Sequence, residues 1–358
     1  MATVPQTSEI PTDNPAEHTY DDPPAFEFDP TVTIKSSEVL WPTREIRING
    51  GSEVIQVGLK LFKLSDGTDY EVVHGMPGEP KTAITVVSRP ALGTSIQGYN
   101  THTLLQIAGL GYPSILVGPE YGHREGWRLR MPKPYTLAQS AHNEHQILDA
   151  LGIDTIVTEG KSWGAMVGFG VNSLAAAHNR NVVYSELVDP VGQLDIKKML
   201  AHPSQLLEKI IRSRHEVAAM AAFVGSLTVG RLLHYRKSLN LSPNFLSQTI
   251  VEGLQIINGE SLQLAKYVPH SAKMCLQVFM DSLISQGAEF EQIFAEHPGV
   301  RISHIAGAHM SIPTTDTDFG IADRLRILAD ELARTNDNVA EVNFSKVHQG
   351  TSALGAAA

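Results

Sequence analysis

Five residues, Gly160-Lys161-Ser162-Trp163-Gly164, separate two segments of opposite character. Before them, Thr155-Ile156-Val157-Thr158 is β-branched and apolar, the composition of a strand buried in a parallel sheet. After them, Ala165-Met166-Val167-Gly168-Phe169 opens a stretch that runs to His178 without proline, as a helix requires. A strand that becomes a helix this abruptly tolerates only small residues around the turn, and Gly160 and Gly164 supply them. The turn lifts the hydroxyl at its apex out of the sheet. Ser162 is therefore read as a nucleophile on a strand-to-helix elbow.

Alternation of this kind extends along the chain. Residues 45–64 read as one or two strands broken by a hairpin signal at Asn49-Gly50-Gly51. Residues 83–87, 114–117, 155–158 and 182–188 read as further strands. Residues 101–110 and 136–151 read as helices, the second with Leu137, Ala141, Ile147, Leu148 and Leu151 at inner positions. Strands separated by helices imply βαβ units and a mostly parallel sheet. Residues 195–269 then read as almost entirely helical, strands return at 274–280 and 300–306, and a helix closes the pattern at 321–333. The expected class is α/β: a mostly parallel, doubly wound sheet with an inserted helical cap. Residues 1–30 lack periodicity and read as a disordered arm. The core falls in two parts, 31–190 and 272–345, around a cap at 191–271, with a flexible tail at 346–358.

Composition narrows the function. A net charge of −10 without a basic stripe argues against a nucleic-acid partner. The single cysteine, Cys275, excludes an intramolecular disulfide and favours a reducing compartment, where it reads as a small apolar strand residue. Residues 1–30 carry no signal-peptide pattern, and the longest apolar run, 217–229, is too short for a membrane span. These features together point to a soluble, cytoplasmic protein; they leave its oligomeric state open.

With the elbow and the alternation in view, the chain resembles the α/β-hydrolase superfamily in its capped form, over roughly residues 44–336. That resemblance implies a triad in the chain order serine, acid, histidine. Ile305-Ala306-Gly307-Ala308-His309-Met310 follows the last strand, where the family places its histidine, so His309 takes that role. Leu276-Gln277-Val278-Phe279-Met280-Asp281 resembles the strand end that carries the acid, so Asp281 takes it, although Val278 stands where the family more often has glycine. The oxyanion donors implied are the backbone N–H of Trp163 and one from Ser88-Arg89-Pro90-Ala91-Leu92-Gly93, which resembles the family's His-Gly loop. Aligning Arg89-Pro90 with His-Gly makes Ala91 the donor, with Leu92 next; Pro90 has no N–H.

Other residues compete for these roles. Asp189, which ends the strand after the elbow helix, is the alternative acid, with Asp316 and Asp318 further outside. His304 reads as a packed or surface residue of a strand and His297 as a loop residue. His142-x-x-His145 with Glu144 lacks a short zinc motif and reads as surface helix residues, so no metal is expected. Gly109-x-Gly111 lacks the third glycine of a dinucleotide fingerprint, and no organic cofactor is expected. Lys161 reads as a lysine whose stem packs and whose ammonium reaches water; Glu159 is its nearest carboxylate if buried. Tyr121, His123 and Trp127 sit in a loop that could border the pocket.

The chemistry these residues suggest is hydrolysis of an ester with a small or medium apolar acyl group, through an acyl-enzyme on Ser162. Val217, Met220, Phe223, Val224, Leu227 and Leu232 offer the cap an apolar surface. The same scaffold also accommodates amide, lactone or carbon–carbon hydrolysis, acyl transfer and cofactor-free peroxidation. Serine at the apex argues against haloalkane and epoxide hydrolysis. A catalytically silent binding module is the alternative from another class.

Overall fold

The computed structural model describes residues 28–48, 53–89, 101–119, 136–192, 259–280, 282 and 287–305. In chain order they form β1 (Ile34–Ile48), β2 (Glu53–Leu64), β3 (Asp69–Pro77), β4 (Thr85–Arg89), α1 (Thr101–Gly109), β5 (Ser114–Pro119), α2 (Leu137–Ala150), β6 (Thr155–Lys161), α3 (Trp163–Leu174) and β7 (Asn181–Val188). After the insertion come α4 (Glu260–Lys266), β8 (Met274–Phe279), α5 (Gly287–Phe294) and β9 (Val300–Ile305).

The nine strands form one sheet in the order β1-β2-β3-β5-β4-β6-β7-β8-β9. β1, β2, β3 and β5 pair antiparallel in succession. From β5 through β9 every pairing is parallel. The hairpin signal at 49–51 coincides with the β1–β2 reversal, where Ile48 lies opposite Glu53.

Successive residues of a strand face opposite sides of its sheet, and both sides here are covered. Val86 and Val157 pack with Ile107 of α1 and with Tyr112. Their neighbours Val87 and Ile156 pack on the other side with Leu137 and Ala141 of α2, Met166 and Phe169 of α3, Leu264 of α4 and Phe290 of α5. This two-sided covering is why the parallel strands read as continuous apolar runs.

Two elements, and residues 34–44 of β1, escape the sequence pattern. β3 carries Glu71, His74 and Gly75 on either side of Val72-Val73, and four successive residues of it, 70–73, are buried, so no alternation marks it. α5 is short, and its periodic signal is confined to Phe290, Ile293 and Phe294. The Phe290 ring lies 5.5 Å from that of Phe169 on α3.

Residues 193–258 lie outside the described ones, but the two ends of that excursion meet. Ser261 Oγ donates to Val191 O at 2.5 Å. Glu260 Oε1 accepts the Ala138 N–H, 3.2 Å away, at the N-terminus of α2, where a carboxylate complements the helix dipole. α4, which the sequence reading assigns to the cap, packs on α3 through Leu264, and Ser173 Oγ of α3 donates to Leu264 O. No helix among the described residues is long and apolar enough to cross a membrane.

Candidate active site

β6 ends at Lys161, α3 begins at Trp163, and the whole reversal falls on Ser162, which adopts φ 52° and ψ −116°. A side chain rarely tolerates that region, and holding serine there costs roughly 1–3 kcal/mol. Backbone bonds fix the conformation. Ser162 N–H donates to Val188 O of β7 at 2.8 Å, and Ser162 O accepts from the N–H groups of Ala165 and Met166 at 3.0 and 3.1 Å. The serine thus stays in register with the sheet on one side and starts the helix on the other. Its position at the N-terminus of α3 sets it beside the positive end of the helix dipole.

Gly160 permits this closeness. A methyl group there would overlap the Gly164 carbonyl and lie 2.7 Å from Ala165 N. Gly168, one turn further along, would press a methyl against Leu187 of β7. We expect Gly160→Ala to cost about 2–3 kcal/mol of stability through overpacking. It should also lower kcat on an ester by about 100-fold, because the start of α3 must move by a fraction of an ångström to an ångström. Thermal melting and single-ester kinetics on the same sample check both effects.

Because the neighbouring strands are parallel, their C-terminal ends lie along one edge of the sheet, beside Ser162. Arg89, the last residue of β4, lies beside Gly160 in register. Asp189 follows β7 directly, is fully buried, and has φ 47°. Its Oδ1 accepts the Phe279 N–H at 2.9 Å, and its own N–H donates to Gln277 O at 2.7 Å, so it joins the ends of β7 and β8. β8 ends two residues before Asp281 and β9 four before His309. Asp281, His309, Ala91 and Leu92 lie outside the described residues, as do Asp316, Asp318, the loop at 121–127, the apolar positions at 217–232 and the expected helix at 321–333.

Two side-chain readings change. Lys161 does not reach water: it is 1 % exposed, on the same face of β6 as the buried Glu159, whose Oε2 accepts Ser88 Oγ at 2.8 Å. His297 lies in the loop between α5 and β9, as its sequence reading has it, and is buried there with Nε2 3.4 Å from Val268 O, just beyond α4. His142, Glu144 and His145 are buried as well, not on a helix surface. Glu144 receives a guanidinium fork from Arg89. The other competitor, His304, is at the surface and pairs with Glu291 at 2.7 Å. Cys275 is buried in β8.

His142 and His145 join His178 in a cluster between α2 and the turn after α3. His142 Nδ1 lies 3.2 Å from His178 Nε2, and His145 stacks on His178 with centroids 4.4 Å apart. A hydrogen bond between two imidazoles requires at least one to be neutral. Burial is the main force holding all three pKa values below the usual 6.5; His178 adds repulsion to the other two. Asp149, Arg180, Arg89 and Asp29 are the charges facing them. The folded state therefore binds fewer protons than the unfolded chain, and its stability is present above pH 6.5 and lost as pH falls. The melting temperature should drop steeply from about pH 7 to about pH 5, and the slope should flatten in His178→Asn. A pH series of thermal melts measures it. Among the described residues no group of three or more His, Cys, Asp or Glu side chains is placed to hold a metal ion.

No protein-family model and no curated protein matches the sequence. Solved structures do match. The enol-lactonase from Burkholderia xenovorans LB400 is 16% identical, covering 81% of this chain and 100% of its own, with a TM-score of 0.51. A carboxylesterase structure from the ammonia-oxidizing thaumarchaeon Nitrososphaera gargenis is 15% identical, covering 77% and 98%, with a TM-score of 0.53. An N-acyl homoserine lactone degrading enzyme is 13% identical, covering 73% and 97%, with a TM-score of 0.50. At such identities the likeness is one of fold.

Proposed function

We propose that this chain, which has the α/β-hydrolase fold, is a serine hydrolase that cleaves an ester of a small or medium apolar acyl group. The observation that carries the reading is Ser162. A non-glycine residue held at φ 52° between the C-terminal end of a central parallel strand and a helix N-terminus is strained for a purpose. A serine hydroxyl becomes nucleophilic only when an imidazole accepts its proton. His309, just beyond β9, is that base, and Asp281, just beyond β8, orients it.

Ser162 Oγ attacks the ester carbonyl carbon while His309 takes the hydroxyl proton. The negative charge that develops on the carbonyl oxygen is met by the N–H groups of Trp163 and Ala91. The first is free of the helix's own hydrogen-bond ladder by its position in the first turn. Collapse expels the alcohol, which leaves with the proton from His309. Water, deprotonated by His309, then attacks the acyl carbon; the bond to Ser162 Oγ breaks, the acid leaves, and His309 returns the proton to Ser162 Oγ. No metal or organic cofactor enters this chemistry. The insertion that begins at 191 forms a cap over Ser162, less α4, which packs on α3 in the core; the bond between Ser261 and Val191 brings the two ends of the excursion together.

Labelling of the full-length protein with a fluorophosphonate probe, blocked by Ser162→Ala, tests the reading together with a panel of esters. The panel includes a lactone, since ring opening of a cyclic ester follows the same steps and two of the fold relatives act on lactones by name. A wild-type protein that neither labels nor turns over any member of the panel overturns it.

A further inference from the structure

We propose that the buried Arg89–Glu144 pair is a positioning device that fixes the oxyanion side of the active site, an inference that rests on the hydrolase reading above. Arg89 is 3% exposed and Glu144 2%. Arg89 Nε donates to Glu144 Oε2 at 2.6 Å, and Nη2 donates to Glu144 Oε1, a bidentate fork between β4 and α2. Its third arm, Nη1, donates to Thr158 Oγ1 and, at 3.3 Å, to Glu159 O, both on β6. One guanidinium thus binds the strand that ends at the oxyanion loop, the strand that ends at the nucleophile and the helix packed across them.

Neighbouring groups make this more than a packing contact. Thr158 and Glu159 precede Ser162 by four and three residues. Arg89 is in register with Gly160, the glycine on which the elbow closes, and it precedes the donor Ala91 by two residues. The second β4 contact to this part of β6, Ser88 Oγ to Glu159 Oε2, comes from the adjacent residue. The C-terminal end of β4, two residues before Ala91, is therefore tied to the end of β6 and to α2 by the planar fork of one side chain as well as by the strand pairing. A lysine could supply the charge but could not span the same three elements.

A buried ion pair is a poor stabiliser compared with well-packed apolar residues of similar volume, whereas a half-removed pair leaves a naked charge. That asymmetry separates positioning from stability. Arg89→Met/Glu144→Met removes both charges together, and the fold should melt within about 4 °C of wild type. If the fork positions the oxyanion loop, kcat on a p-nitrophenyl ester falls about 100-fold while KM stays within about threefold. Affinity for a boronic acid that forms a tetrahedral adduct on Ser162 should fall in parallel with kcat. Arg89→Lys should lower kcat about 30-fold and the near-isosteric Thr158→Val about fivefold, each without a matching change in KM.

A double variant with wild-type kcat overturns the proposal and leaves the hydrolase reading standing. If that variant does not fold, Arg89→Lys and Thr158→Val decide in its place, and wild-type kcat in both overturns it equally. A wild-type protein that is inert to the fluorophosphonate and to the ester panel overturns both readings at once.

Discussion

Ser162→Ala is expected to lower kcat on a short-chain ester by about five orders of magnitude, because the members of a catalytic triad act as a unit. The melting temperature should stay within about 2 °C of wild type. Alanine retains the Cβ, so the strain at φ 52° is neither relieved nor increased. The bonds that hold the elbow run through the backbone, from the 162 N–H to Val188 O and from Ala165 and Met166 to the 162 carbonyl. A variant with unchanged melting and activity within about tenfold of wild type would place the nucleophile elsewhere.

Asp281→Asn is expected to lower kcat by about 10,000-fold, since an amide holds the imidazole in the wrong tautomer and does not stabilise its protonated form. Asp189→Asn should cost less than about tenfold, because the amide oxygen still accepts the Phe279 N–H that the carboxylate now takes. Asp189→Ala leaves that buried N–H without its acceptor and should cost about 1–3 kcal/mol of stability, with the loss appearing in melting before it appears in kcat. Steady-state kinetics and thermal melts on the three variants assign the acid. A larger fall in kcat for Asp189→Asn than for Asp281→Asn would move it to the end of β7.

Strands buried on both faces could be read from the chain because their composition is itself the signal. Thr155–Lys161 and Asn181–Val188 cover the strand-like runs at 155–158 and 182–188, and the apolar spacing of α2 was equally visible. The elbow was legible because it needs a local pattern and nothing else: a strand, small residues around one serine, and a helix. β3 was not, since its polar residues lie between β2 and β5 and under α1, and the last two are distant in sequence.

Charge placement was the larger gap. His142, Glu144 and His145 read as surface residues of α2, yet all three are buried. Glu144 is inside because a guanidinium 55 residues away meets it with two hydrogen bonds, and His145 because Val171 O and the His178 ring receive it. Periodicity records which face of a helix is apolar; it carries no record of a polar side chain whose desolvation is offset by a remote partner. Lys161 followed the same logic, with its stem and head both enclosed.

By itself, then, the sequence determined the elements that local composition can specify: the buried strands, the helix that follows the elbow, and the serine between them. Tertiary structure alone decided the strand order, the strained backbone at Ser162, and the burial of Arg89 with Glu144. The physical reason is range. Strand and helix propensities act over a few residues, whereas the free energy of a buried charge or a strained dihedral is set by groups that only the folded chain brings together.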